Sequence, residues 1–524
     1  MRSASRVALS GALLATLSLL QSASGSTGVD FGAGNYSFPD DFIFGVSTAA
    51  FQIEGAWNEG GKGESMWDTY LHKNPTFTPD MSNGDIAADS YHRYMEDIDM
   101  IRHLGVNYYR MSISWPRILP NGTDNNISQE GVMYYRTLFE ELLKVNITPI
   151  VTLFHWDMPT VLMDLGGWTN PKIIDYFEDY ARVAFNLYGD IIKTWTTLNE
   201  PHQHCYNGYG LDYFVPALMS HGVGEYLCTH YSLLSHAKVY RMYEKEFRPY
   251  QKGKVGITLD AFWAKPRDAN KPEDVRAADT YLQMHLAIYA HPIFSDVGDY
   301  PTFVRERVNN MSLAQGFSRS RLPYFTDEEV AALKGSSDFF GLNHYTTFIM
   351  SPSTMEPSWH VPSLDHDAGV KMEQNLTWPR PGAEWLTVYP PGFRNLLNYV
   401  QTNFIKQKDI PIIITENGMA DLGQTEDYER VSYFNDYLHQ VLLAIHEDRC
   451  NVKGYFAWTL MDDFEWSDGY TAKFGLFKVD FDSPEKTRTP KLSAKNYRHI
   501  VRTRRVDFDY IKPPAITPFQ FNYL

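Results

Sequence analysis

The chain has 524 residues, 44% of them hydrophobic and 15% aromatic, enough to bury one large core or two ordinary ones. A formal net charge of -16 at pH 7 argues against nucleic acid as a partner, since phosphate binding needs an excess of Lys and Arg along some surface. The balance suits a soluble protein with neutral small-molecule ligands.

In chain order, a targeting segment comes first. Arg2 and Arg6 precede an apolar run from Val7 to Leu20, and the small residues Ser22, Ala23, Ser24 and Gly25 follow. The run is too short to span a bilayer, and no later stretch holds about 18 apolar residues free of charge. Residues 1–24 therefore read as a signal peptide and residues 25–524 as one secreted domain with no membrane partner. Asn35, Asn121, Asn126, Asn146, Asn310 and Asn375 each open an Asn-x-Ser/Thr sequon, which fits that route, although Asn146 lies close to an expected strand. Cys205 and Cys228 can close one loop and leave Cys450 as a buried thiol, or all three stay unpaired.

After the signal, short runs rich in Val, Ile, Phe, Tyr and Thr alternate with helical patterns such as "YHRYMEDIDMIRHLG", "MYYRTLFEELLKVN" and "IIDYFEDYARVAFNLYG". The runs are "FIFGVSTAAFQ", "NYYRMSISW", "ITPIVTLFHW", "IKTWTTLNE", "KVGITLD", "DFFGLNHY", "IPIIITENG" and "VKGYFAWTL". They are continuously apolar, as strands covered on both faces should be, and eight such βα units close into a (β/α)8 TIM barrel of the α/β class. An open doubly wound sheet is the rival, but the first turn carries no Gly-rich fingerprint. The runs end at Gln52, Trp115, His155, Asn199 with Glu200, Asp260, Asn343 with Tyr345, Glu416 and Trp458. A barrel gathers all of these at its C-terminal mouth, where active sites of this architecture are built.

Glu200 and Glu416 end the fourth and seventh runs, so only barrel closure brings them face to face. Two opposed carboxyls can cleave a glycosidic bond, one protonating the leaving oxygen and the other attacking the anomeric carbon, at about 5 Å separation for retention and about 6.5 Å or more for inversion. Arg110 and the Tyr345 hydroxyl should favour the charged form of Glu416, the nucleophile. Glu200, facing that negative neighbour, should be raised and serve as acid and then base. Gln52, His155, Asn199, Asn343 and Glu465 supply polar groups for sugar hydroxyls, and Trp458 and Trp466 supply flat faces. The chemistry needs no cofactor. "HQHC" (202–205) has no second ligand pair at metal-binding spacing, so no metal is expected.

The ordered set "FQIEGAWNEGGKGESMWD", "YRMSISWPRILP", "LFHWDMP", "TLNEP", "GLNHYT", "ITENG" and "FAWTLMDDFEWSDGY" resembles glycoside hydrolase family 1, the retaining β-glucosidases, from about residue 38 to 502, and its wording looks most like secreted insect members. The resemblance implies Glu200 as acid/base and Glu416 as nucleophile, with Gln52, His155, Asn199, Trp458, Glu465 and Trp466 at the sugar and Tyr345 and Arg110 behind the nucleophile. His202, Asp463 and Lys473 depart from the usual residues, which the sequence reading assigns mostly to the leaving-group side. Within the family the runner-up is a thioglucosidase, or myrosinase, acting on glucosinolates. A catalytically inactive glycan-binding protein on the same barrel is the reading from another class, disfavoured because both glutamates are kept.

Overall fold

The computed structural model describes residues 36–353, 362–406 and 408–512; the signal segment and Asn35 lie outside the described residues. The apolar runs form β1 (Ile43–Ser47), β2 (Tyr108–Ser112), β3 (Thr148–Phe154), β4 (Thr194–Asn199), β5 (Lys254–Asp260), β6 (Phe340–Asn343), β7 (Ile412–Asn417) and β8 (Val452–Trp458). Each strand pairs in parallel with its neighbours in sequence, and β8 pairs with β1 to close the ring. The barrel expected from the runs is the barrel observed.

Around it stand α1 (Ser90–Leu104), α2 (Gln129–Lys144), α3 (Ile173–Tyr188), α4 (Gly224–Met242), α5 (Pro272–Leu282), α6 (Pro390–Val400), α7 (Tyr428–His446) and α8 (Leu492–Thr503). In α3 the buried residues Phe177, Tyr180, Ala181, Ala184, Phe185 and Tyr188 recur at helical spacing, so one face packs on the sheet. The Ser128 hydroxyl accepts the Gly131 N–H at 3.1 Å and starts α2. Gly105, left-handed at φ 76°, stops α1.

Two run ends differ from expectation. β1 stops at Ser47, and Gln52 comes from a short helical turn, Ala50–Ile53. Trp115 does not reach the mouth: Pro116 in the first turn starts a helix at Trp115, and the indole stacks on Tyr180 at 4.7 Å with its N–H on the Gly122 carbonyl at 3.2 Å. A further sheet, Trp263–Pro266, Thr347–Pro352 and Val370–Glu373, sits in the loops after β5 and β6, where the alternation of strand and helix gave no signal for it. Gly418 ends "ITENG" because a Cβ there would fall 1.9 Å from the Trp458 carbonyl oxygen.

The first strand and the last helix are tied together: Phe38 N–H donates to the Arg504 carbonyl at 2.8 Å and the Tyr497 hydroxyl to the Gly45 carbonyl at 2.7 Å. Cys205 and Cys228 form a disulfide and Cys450 is a buried thiol. Among the sequons, Asn126, Asn146 and Asn310 are exposed and Asn121 and Asn375 partly so; Asn146 occupies a left-handed turn just ahead of β3. No helix among the described residues is long and apolar enough to cross a membrane.

Candidate active site

The barrel mouth opens into a cleft of about 270 Å³ lined by His155, Glu200, Asn343, Tyr345, Glu416, Trp458, Glu465 and Trp466 among others. Strand register sets its centre. Glu416 on β7 stands opposite Asn343 on β6, and Asn343 stands opposite Asp260 on β5. Glu200 follows β4 in a left-handed conformation, φ 46°, as do Trp156 and Trp466 on the same cleft. Such backbone costs about 1–3 kcal/mol for a residue with a Cβ and clusters at working sites.

The two glutamates are buried in unlike surroundings. Arg110, in the middle of β2, donates to Glu416 Oε1 at 2.7 Å, and the Tyr345 hydroxyl donates to Oε2 at 2.7 Å. Burial raises the Glu416 pKa, and these two donors hold the rise back. Glu200 has no cationic partner at that distance among the described residues; its Oε1 accepts from Asn343 Nδ2 at 2.6 Å. Burial, then the negative charges of Glu416 and Asp260, push its carboxyl well above the usual range. The negative neighbours of Glu200 and the donors on Glu416 favour a shared proton on Glu200.

Behind them the polar groups are locked in one direction. Arg110 Nη2 donates to Asn199 Oδ1 at 2.6 Å, so the Asn199 amide points its NH2 at His155 Nε2, 3.0 Å away. Burial keeps that imidazole neutral, its pKa well below normal. Nε2 therefore accepts and Nδ1 carries the proton, and Nδ1 has no partner among the described residues. Gln52 Nε2 donates to the Phe464 carbonyl at 2.9 Å and to Glu465 at 3.3 Å, while its Oε1 has no partner among the described residues. Trp458 and Trp466 lie 5.8 and 5.9 Å from the His155 ring, both stacked. The sequence-predicted residues thus fall into a lining set and a buried supporting set of Arg110, Asn199 and Gln52.

Residues 35–506 match the family model described as Glycosyl hydrolase family 1. The chain belongs to this family. It is 42% identical over 470 residues to "Myrosinase 1" of Brevicoryne brassicae, covering 90% of this chain and 99% of that protein. The cytosolic beta-glucosidase of Cavia porcellus is 39% identical over 475 residues, covering 90% and 99%. Among solved structures, an aphid myrosinase superimposes with a TM-score of 0.85 at 41% identity, covering 90% of this chain and all of that one. A rice β-glucosidase mutant in a covalent complex with Glc does so with a TM-score of 0.83 at 36% identity, covering 88% and 99%.

Against the family pattern, the departures sit differently than the sequence suggested. Asp463 and Lys473 lie behind the cleft and outside its lining, Asp463 beside Glu465 and Lys473 near Asp462. Asp463 is fully buried against Glu465, and the two carboxyls share a hydrogen bond when one is protonated; burial and neighbouring carboxyls push both well above the usual range. His202 alone belongs to the outer cleft, with Nδ1 3.2 Å from Asp260 Oδ2 and Nε2 2.8 Å from His285 Nδ1. Among the described residues no group of three or more His, Cys, Asp or Glu is placed to hold a metal.

Sequence reasoning missed Trp156, whose indole donates to the Asn199 carbonyl at 2.9 Å, and His285 with its partners. Trp156 was legible as the residue after His155. His285 was not, because it sits past α5 in a pattern that reads as ordinary helix.

Proposed function

We propose that this family 1 glycoside hydrolase is a retaining β-glucosidase in which Glu416 attacks the anomeric carbon and Glu200 first protonates the leaving oxygen and then deprotonates water. The observation that carries the reading is the unlike setting of two buried carboxyls on one cleft: Arg110 and Tyr345 both donate to Glu416, whereas Glu200 takes the neutral amide of Asn343 and feels the negative charge of Glu416. The charged Arg110 donor on Glu416, against the neutral amide donor on Glu200, supports the division of roles. The His155 Nδ1 proton and the Glu465 carboxyl supply hydroxyl partners for the sugar, with Gln52 holding Glu465 from behind, Trp458 and Trp466 supply its platform, and Arg110 and Tyr345 keep the nucleophile ionised.

The targeting segment and the exposed sequons Asn126, Asn146 and Asn310 support passage through a secretory route. The similarity to an aphid myrosinase favours a second reading, cleavage of a thioglucoside by the same pair, since a sulfur leaving group needs less protonation than oxygen. Hydrolysis of an aryl β-D-glucoside followed by NMR tests the main reading. β-Glucose should appear first, a 2-deoxy-2-fluoroglucosyl fluoride should label Glu416, and Glu416→Gln should lose activity by roughly three orders of magnitude or more. First appearance of α-glucose, or near-native turnover by Glu416→Gln, would overturn it.

A further inference from the structure

Resting on the glucosidase reading above, we infer that the outer half of the cleft selects a flat, neutral or cationic aglycone and turns away an anionic one, because rings and carboxylates line it and no Lys or Arg does so among the described residues.

Two groups of rings shape this part of the cleft. From the small sheet after β5 and β6, Phe262 lies 5.2 Å from Phe348 and 6.1 Å from Trp385. From the segment after β4 and the end of α5, Tyr206 stacks on His202 at 5.7 Å and Tyr281 on His285 at 4.0 Å. Such faces hold a planar group by area and dispersion, and their negative quadrupole prefers a cation to an anion.

The charges act in the same direction. Asp365 accepts the Tyr206 hydroxyl on both oxygens, at 3.0 and 2.8 Å. Asp260 Oδ2 takes Gln203 Nε2 at 2.8 Å and faces His202, while Oδ1 has no partner among the described residues. A carboxylate offers about four acceptor sites, so Asp260 has capacity left for a donor on the ligand. His285, buried against His202, stays neutral, and Asp468, Glu465, Glu200 and Glu416 are the remaining acidic groups of the lining. Lys371, within the small sheet, and Arg267, at its edge, both pair with Glu373. A sulfate or carboxylate on the aglycone enters between Asp260 and Asp365 and meets no guanidinium or ammonium to compensate for lost water. Sulfated thioglucosides are disfavoured by this surface whichever atom is bonded to the sugar.

The test is a ladder of substrates matched in size and in leaving-group chemistry: the 4-ethylphenyl, 4-(carboxymethyl)phenyl and 4-(2-aminoethyl)phenyl β-D-glucosides, with a glucosinolate as a fourth arm. We expect kcat/KM for the carboxymethyl compound to fall at least about tenfold below the ethyl one, the aminoethyl compound to equal or exceed it, and the glucosinolate to lie roughly a hundredfold or more lower. Asp365→Lys should reverse the order of the two charged substrates. Equal kcat/KM across the three aryl glucosides, or a glucosinolate cleaved as well as the ethyl compound, would overturn the inference while leaving the glucosidase reading intact. Failure to cleave the ethyl compound at all would instead overturn the glucosidase reading.

Discussion

Arg110 and Tyr345 work against burial at Glu416, whereas Glu200 has burial and two negative neighbours acting together. The pH dependence follows with its signs. As pH falls, Glu416 gains a proton and attack stops; as pH rises, Glu200 loses its proton and the leaving group goes unassisted. kcat/KM should therefore be bell-shaped, with both limbs above the ordinary carboxylate range. Arg110→Met removes the strongest opposing charge on Glu416, so its acid limb should move up by about one pH unit or more, read from kcat/KM profiles of variant and parent. A variant whose profile kept the parent's acid limb would count against Arg110 as the group that holds Glu416 ionised. The catalytic candidates were legible because each closes an apolar run with a charge that a strand end does not need. Asp463 was legible as an unusual residue but not in its placement, because its burial against Glu465 depends on the folding of the loop after β8.

Strands covered on both faces have a signal strong enough to be found singly, and β1 to β8 were legible to within a few residues for that reason. The three-stranded sheet at Trp263–Pro266, Thr347–Pro352 and Val370–Glu373 was not, since its strands are short and drawn from loops far apart in the chain. That sheet and the segment after β4 build the outer cleft, so the sugar end was read better than the aglycone end. The segment after β4 is pinned by the disulfide between Cys205 and Cys228, 23 residues apart. Closing a loop of that length stabilises by about 3 kcal/mol in the chain-entropy account. Cys228→Ser should lower the unfolding free energy by about that amount in denaturant titration, and it should raise KM for aryl glucosides more than it lowers kcat. A loss confined to kcat would mean that this segment positions the acid rather than the aglycone.

Over the whole molecule, acidic side chains outnumber basic ones, giving the charge of -16, and several carboxyls are buried with raised pKa values. Burial lifts Asp97 to about 6 and Asp436 to about 6, and lifts Glu225 to about 7 against three backbone N–H bonds. A carboxyl that binds its proton more tightly when folded lends stability that is complete below its unfolded value, about 4, and that is lost as pH climbs through the folded one. Asp175, Asp190 and Asp448, lowered by Lys238, Arg136 and Arg394, give way only below about 4. The melting temperature should thus decline by several degrees between pH 5 and pH 8, with self-repulsion adding to the slope; calorimetry showing the opposite trend would contradict this account. The bonds from Phe38 to Arg504 and from Tyr497 to Gly45 carry a separate implication. A polypeptide still leaving the ribosome has seven strands and a raw edge where the eighth belongs. Hydrolytic competence cannot exist on such a nascent chain, and it arrives all at once when the C-terminal segment swings back to meet residues made at the outset.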